Sequence, residues 1–246
     1  MRFRAELTAA GRSHPSWVEF HKLETAQDVF AAIDDLAATI AGRLDAEVER
    51  AEIGRALRRP VEPLGAYDCV FRAVPLIFEM TEDAFTRADR LLLAAQQADP
   101  HEPLVYSWRA FWHLFHIGEV WAKDLNAARA ELDWVVRRAL ELDPKDAVAL
   151  AVAGHIASFV HHDYGRALGL FDRSRRLDPT SAYCWDLSAL TLCYTGDAPE
   201  GLRRLEASRG LWERHPTPYY HYCVTLATAA RWRAGGRRSG SAAAGG

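Results

Sequence analysis

An Asp-Pro pair recurs at Asp99-Pro100, Asp143-Pro144 and Asp178-Pro179, each time closing a stretch with helical hydrophobic spacing. The intervals are 44 and 35 residues. Self-similarity at this period constrains the fold more than any other feature, because a short helical unit cannot bury its apolar face alone and must stack on neighbours like itself. The best-formed unit spans 147–181. Its first helix carries Leu150, Ala153, Gly154 and Ala157, and its second carries Ala167, Phe171, Ser174 and the terminating Pro179. Small residues such as Gly154, Ala167 and Ala189 stand where two helix backbones approach, while Phe171, Trp185 and Leu205 fill the space between neighbours.

The same register extends in both directions. The next unit has Trp185, Ser188, Ala189 and Leu192, a turn at Gly196-Asp197, then Gly201, Leu205 and Ser208, with Glu213 where the proline would fall. The unit over 105–144 is stretched between Gly118 and Asn126 and carries Trp108, Phe111, Trp112 and Phe115 on its first helix. A more divergent unit covers 65–100, with Ala88 and Leu92 at second-helix positions. After Pro218 a further first-type helix is expected over 219–233, followed by a disordered Gly/Ser/Ala tail over 234–246. With no second helix, Tyr219, Tyr220, Tyr222 and Trp232 form more apolar surface than a terminal element should expose. That predicts homodimerisation through the stretch from Tyr219 to Arg233.

The segment 1–60 reads differently. Alternation over 2–8 and 16–22, around a turn with Gly11, Ser13 and Pro15, predicts a β-hairpin. Two strands alone are marginal in water, so the hairpin must pack on the long helix or be the remnant of a larger sheet, and the remnant is the expectation. Val29, Phe30, Ile33, Leu36, Ile40, Leu44 and Val48 then recur by threes and fours. Thr25 as cap, Asp28 in the first turn, and Pro60 with Pro63 as stops predict a helix over 25–58.

The positions in 147–181 match the tetratricopeptide pattern W-x2-L-G-x2-Y, A-x3-F, P, with one extra residue in the turn around His161, His162 and Asp163. The stretch from Ala66-Tyr67-Asp68 to Pro179, with Trp112-His113-Leu114-Phe115 and Gly154-His155-Ile156-Ala157-Ser158-Phe159, resembles the tetratricopeptide regions of bacterial multidomain regulators. In those proteins the repeats follow an adenylate cyclase or winged-helix domain. Residues 2–60, with Trp17-Val18-Glu19 and Asp28-Val29-Phe30-Ala31, look like the end of the TolB-like α/β domain that often precedes such repeats. The resemblance implies a mainly α fold, a tetratricopeptide-like helical solenoid over 64–233, preceded by a β-hairpin and a long helix over 1–60. It also implies a non-catalytic regulatory or sensory module of a bacterial signalling or transcription regulator. The alternative is a truncated fragment of such a protein lacking its output domain.

Composition supports a folded core, with hydrophobic residues making up 49% of the chain, enough for a domain of this length. A net charge of −3 gives no global attraction to nucleic acid or an anionic membrane. No apolar run approaches the ~18 residues of a membrane span, and the charged start of the chain lacks a secretory apolar region, so a cytoplasmic address is expected. Cys69, Cys184, Cys193 and Cys223 lack C-x-x-C spacing and read as reduced core thiols. Phosphate-cradle, zincin and nucleophile-elbow motifs are absent. His113 with His116, joined by His155, could offer ring nitrogens to a metal, but three or four ligands are needed and the set is incomplete. Ser158 with His155 lacks an orienting acid. Arg231-Trp232-Arg233 and Arg237-Arg238 are a solvated tail, and Arg55, Arg58 and Arg59 suit a helix C-terminus. No enzyme activity, metal or cofactor is therefore expected. The expected partner is a protein or peptide in a groove lined by Tyr106, Arg109, His113 and His116, then Val148, His155 and Phe159, then Tyr183, Asp186 and Tyr194. Against this stands the simpler reading that several of them pack on the long N-terminal helix.

Overall fold

In the computed structural model, residues 2–8, 15, 17–22, 29–58, 65–212 and 221–230 are described. Strands β1 (Arg2–Leu7) and β2 (Trp17–Lys22) pair antiparallel, Arg2 opposite Lys22 and Leu7 opposite Trp17. Helix α1 spans Val29–Arg58, and among the described residues eight helices follow in closely linked pairs. These are α2 (Ala66–Phe78) with α3 (Glu82–Ala98), α4 (Pro103–Gly118) with α5 (Leu125–Leu142), α6 (Ala147–Phe159) with α7 (Tyr164–Leu177), and α8 (Ala182–Tyr194) with α9 (Ala198–Trp212). A last helix, α10, covers 221–230. Thr25, Asp28, Gly11 and Ser13 lie outside the described residues, as do Tyr219, Tyr220, Trp232 and the tail over 234–246.

Each Asp-Pro pair is one and the same joint. Asp99, Asp143 and Asp178 end α3, α5 and α7 in extended backbone, at φ −144°, −136° and −138°, as a residue before proline must. Their backbone N–H groups still close the last helical turn on Ala95, Ala139 and Ser174. Each Oδ1 then accepts the backbone N–H two residues on, from His101 at 2.9 Å, Lys145 at 2.8 Å and Thr180 at 2.9 Å, the local turn that aspartate favours. The next helix starts after a capping side chain in the same place: Glu102, Asp146 or Ser181. Local chemistry thus repeats the same hydrogen-bonded turn at all three joints.

Within pairs the turn is different and varies in length. One residue in the left-handed region reverses the chain: Met80 at φ 54°, Val120 at 61°, His162 at 57° and Gly196 at 93°. Only the last is a glycine, so three of these turns place an L side chain where it is disfavoured. Short connections between packed helices make the partners antiparallel, so the first helices α2, α4, α6 and α8 run parallel in one row. That row is enclosed on several sides, and its residues are buried almost continuously, as from Val105 to Phe115. Second helices bury one stripe, such as Leu132, Val135, Val136 and Ala139 in α5 or Ala167, Phe171 and Ser174 in α7.

Two glycines set the closest approaches. A methyl at Gly154 would meet the Phe171 ring at 2.9 Å, and one at Gly201 would meet the Ala189 carbonyl oxygen at 2.8 Å and Cys193 Sγ at 2.7 Å. Buried hydroxyls tie the rows together. Ser174 Oγ donates to the Ala147 carbonyl at 2.7 Å, Ser158 and Thr191 share a hydrogen bond of 2.7 Å, and Ser208 Oγ donates to Asp186 at 2.6 Å.

Among the described side chains, those that hold helix α1 lie towards its C-terminus. Ala56 is buried, Arg72 Nε donates to its carbonyl at 2.9 Å, and Arg55 lies 3.4 Å from Asp68. Farther back, Glu49 Oε1 accepts a 3.4 Å hydrogen bond from the Tyr183 hydroxyl of α8. The apolar stripe read from the sequence does not become core along its whole length: Ile40, Leu44 and Val48 are exposed. Among the described residues, no helix is long and apolar enough to cross a membrane.

Candidate functional site

The ten residues read as a groove part into two groups. Most are drawn into the interior. Tyr106 is buried, its hydroxyl donating to the Pro100 carbonyl at 2.9 Å and its ring edge-on to Trp134 at 5.9 Å. Arg109 is buried and joins three helices, bonding Gln96 of α3 and, at 3.3 Å, Glu131 of α5. Asp186 is fully buried and accepts from Ser208 of α9. Tyr183 stacks on Phe78 of α2, with centroids 5.8 Å apart and planes 7° apart, and meets Trp108 and Phe111 of α4 edge-on. Burial and the nearby Glu49 push its phenol well above the usual range. Its partner α1 is the long N-terminal helix, as the simpler reading has it for this residue. Val148 is half-buried against the core.

The second group stays open. Phe159 is 37% exposed and Tyr194 42% exposed, with ring centroids 6.0 Å apart. Both are the last residues of their helices, just before α6 and α8 give way to their reversing turns. Beneath them His155 is buried, stacked on Phe159 at 5.6 Å and tilted against Tyr194 at 6.0 Å. Burial lowers its pKa to about 4, with a hydrogen bond to the Leu187 backbone opposing the shift, as expected for an imidazole withdrawn from water. The ring is therefore neutral at pH 7. From α10, Tyr222 joins the patch at 37% exposed. Burial, and after it Glu119 at the end of α4, raise its phenol pKa, and Tyr222 adds to the burial that raises that of Tyr194. Cys223, next to it, is fully buried and seats α10 on the array.

No family model matches the chain, and no curated protein matches it at a significant level.

The histidines do not assemble as the sequence grouped them. His113 and His116 stay together on α4 with Trp112, whose ring centroid lies 4.9 Å from the first and 4.6 Å from the second. Burial, Arg109 and His116 lower the pKa of His113 to about 3. Burial also lowers His116, against the pull of Asp89 on α3. His155 faces Phe159, Tyr194 and the Leu187 backbone instead, and among the described residues no three His, Cys, Asp or Glu side chains stand ready to hold a metal. Ser158 turns its hydroxyl to the His155 carbonyl at 3.0 Å and to Thr191, not to the imidazole ring. The four cysteines are buried and free, and burial raises the Cys184 and Cys193 thiols to about 11, so these two are protonated at neutral pH.

Two members of the open patch were missed as site residues. Tyr222 reads in the sequence only as surplus apolar surface. Glu119 follows α4 at the place that Val160 and Thr195 hold after α6 and α8, so the repeat register itself points to it.

Proposed function

We propose that this chain is a non-catalytic, tetratricopeptide-like protein-interaction scaffold, serving as a regulatory or sensory module of a bacterial signalling or transcription regulator. The observation that carries this reading is the stack of helix pairs joined by three identical Asp-Pro joints, which leaves exposed rings on one row of parallel helices. Size complementarity supports the repeat assignment, since Gly154 receives the Phe171 ring where that repeat pattern pairs a small residue with a large one. A protein surface that keeps Phe159 and Tyr194 open while enclosing Phe78, Trp108 and Phe111 offers an aromatic anchor point for an extended peptide. Its binding area is thus narrower than the ten-residue groove, and it sits at the C-terminal ends of α6 and α8.

Selection of peptides from a displayed random library against the full chain tests the proposal. Enriched peptides should bind with micromolar affinity and lose about tenfold in a Phe159→Ser, Tyr194→Ser variant that retains wild-type helical content. No enrichment, or enriched peptides indifferent to that variant, would count against it.

A further inference from the structure

We infer that the cluster of Glu119, Phe159, Tyr194 and Tyr222 binds the cationic side chain of a basic, arginine-bearing peptide segment. The inference rests on the scaffold reading above and names its ligand chemistry. Three rings from three helices border the patch, each between 37% and 42% exposed. The negative face of an aromatic ring attracts a guanidinium or ammonium group. A carboxylate stands beside them. Glu119 lies close enough to Tyr222 to raise its phenol, and a carboxylate has lone pairs for several donors, so it can meet a planar guanidinium.

The surroundings favour a cation as well. The three reversing turns at this end of the array, 119–124, 160–163 and 195–197, carry four carboxylates, Glu119, Asp124, Asp163 and Asp197, against the single lysine Lys123. Of their histidines, His161 is already engaged by Asp133 at 3.2 Å. His155, under the rings, is neutral at pH 7 and adds no repulsion. Asp124, Asp163 and Asp197 each cap the helix that follows, so the carboxylate offered to a cation at the rings is Glu119.

The test uses a labelled peptide with three spaced arginines and two counterparts in which citrulline or leucine replaces them, titrated into the full chain by fluorescence anisotropy. Citrulline keeps the shape of arginine and removes its charge. The arginine peptide should bind about tenfold more tightly than either counterpart. Glu119→Gln and Tyr194→Ala should each erase most of that preference, Tyr194→Phe should keep it, and Glu141→Gln, a distant exposed acid, should leave it unchanged. Circular dichroism of each variant guards against a folding defect. Equal affinity for arginine and citrulline peptides, or an arginine preference untouched by Glu119→Gln and Tyr194→Ala, overturns the inference. A leucine peptide that binds best through Phe159 and Tyr194 overturns it while leaving the scaffold reading intact. Failure of every peptide to bind overturns the inference too, and the library selection then decides the scaffold reading separately.

Discussion

Three glycines in helices offer a matched experiment, because the same Gly→Ala change meets three different environments. Gly169 in α7 is exposed, and a methyl there would touch nothing within 4 Å. Alanine should stabilise at that site by about 1 kcal/mol through helix propensity alone. At Gly154 the methyl would stand 2.9 Å from the fully buried Phe171 ring, which can yield only by disturbing its own neighbours. At Gly201 it would stand 2.8 Å from the Ala189 carbonyl oxygen, part of the α8 backbone, so the two helices themselves would have to separate. Overpacking costs ~1–3 kcal/mol, and a backbone obstacle takes the upper end. Subtracting the propensity gain leaves Gly201→Ala destabilised by about 2 kcal/mol and Gly154→Ala by about 1 kcal/mol. The spread between the extremes is ~3 kcal/mol, or about 6–12 °C in melting temperature for a chain of this size. Urea and thermal unfolding followed by helical circular dichroism would read it. Equal midpoints for Gly169→Ala and Gly201→Ala would refute the helix register and the close approach assigned to Gly201.

Phe171→Ala should cost ~3 kcal/mol or more, since the ring is fully buried between α6 and α7, and a loss below ~1 kcal/mol in urea unfolding would contradict its role as anchor. Val120, 84% exposed at φ 61°, is a β-branched residue in the left-handed region. Val120→Gly should therefore raise stability by about 1 kcal/mol, measured by the same unfolding curves. His155 and His113 have folded pKa values lowered to about 4 and about 3, against 6.5 when unfolded. The unfolded chain binds more protons between those limits, so stability is fully present above pH 6.5. It falls as pH drops towards 4, by up to about 1.4 kcal/mol per pH unit for each group. His155→Gln should flatten that slope in denaturation midpoints taken from pH 7 to pH 4; an unchanged slope would mean that His155 is not buried neutral.

What was legible in the sequence was what local chemistry encodes. The Asp-Pro joint could be read from two letters because its hydrogen bond runs to the backbone two residues away and its extended φ is imposed by proline. The small positions could be read because Gly154 and Phe171 belong to one pair. The groove could not be read this way. Tyr106, Arg109 and Asp186 stand on first helices that are packed on nearly every side, and only helices distant in the sequence decide which part of such a helix stays open. Asp186 is buried beside Ser208 of the following helix, and Tyr183 is half-buried on a ring more than one hundred residues earlier. The same limit applies to α1, whose apolar periodicity says that a face could pack and not that it does: Ile40, Leu44 and Val48 remain exposed.

The stacking of Tyr183 on Phe78 has a thermodynamic consequence for the whole array. In an ideal linear repeat protein each unit touches only its neighbours, so ends fray independently and unfolding spreads as in a one-dimensional chain. Here the fourth helix pair reaches the first through that ring contact, with Trp108 and Phe111 of the second pair packed around both. The link closes the row into a cycle of interactions, which penalises partly unfolded states that open either end. Unfolding should therefore be sharper than in a linear stack of the same length, with a single cooperative transition across α2 to α8. Tyr183→Ala should broaden that transition, letting the C-terminal pair exchange its amide hydrogens ahead of the rest.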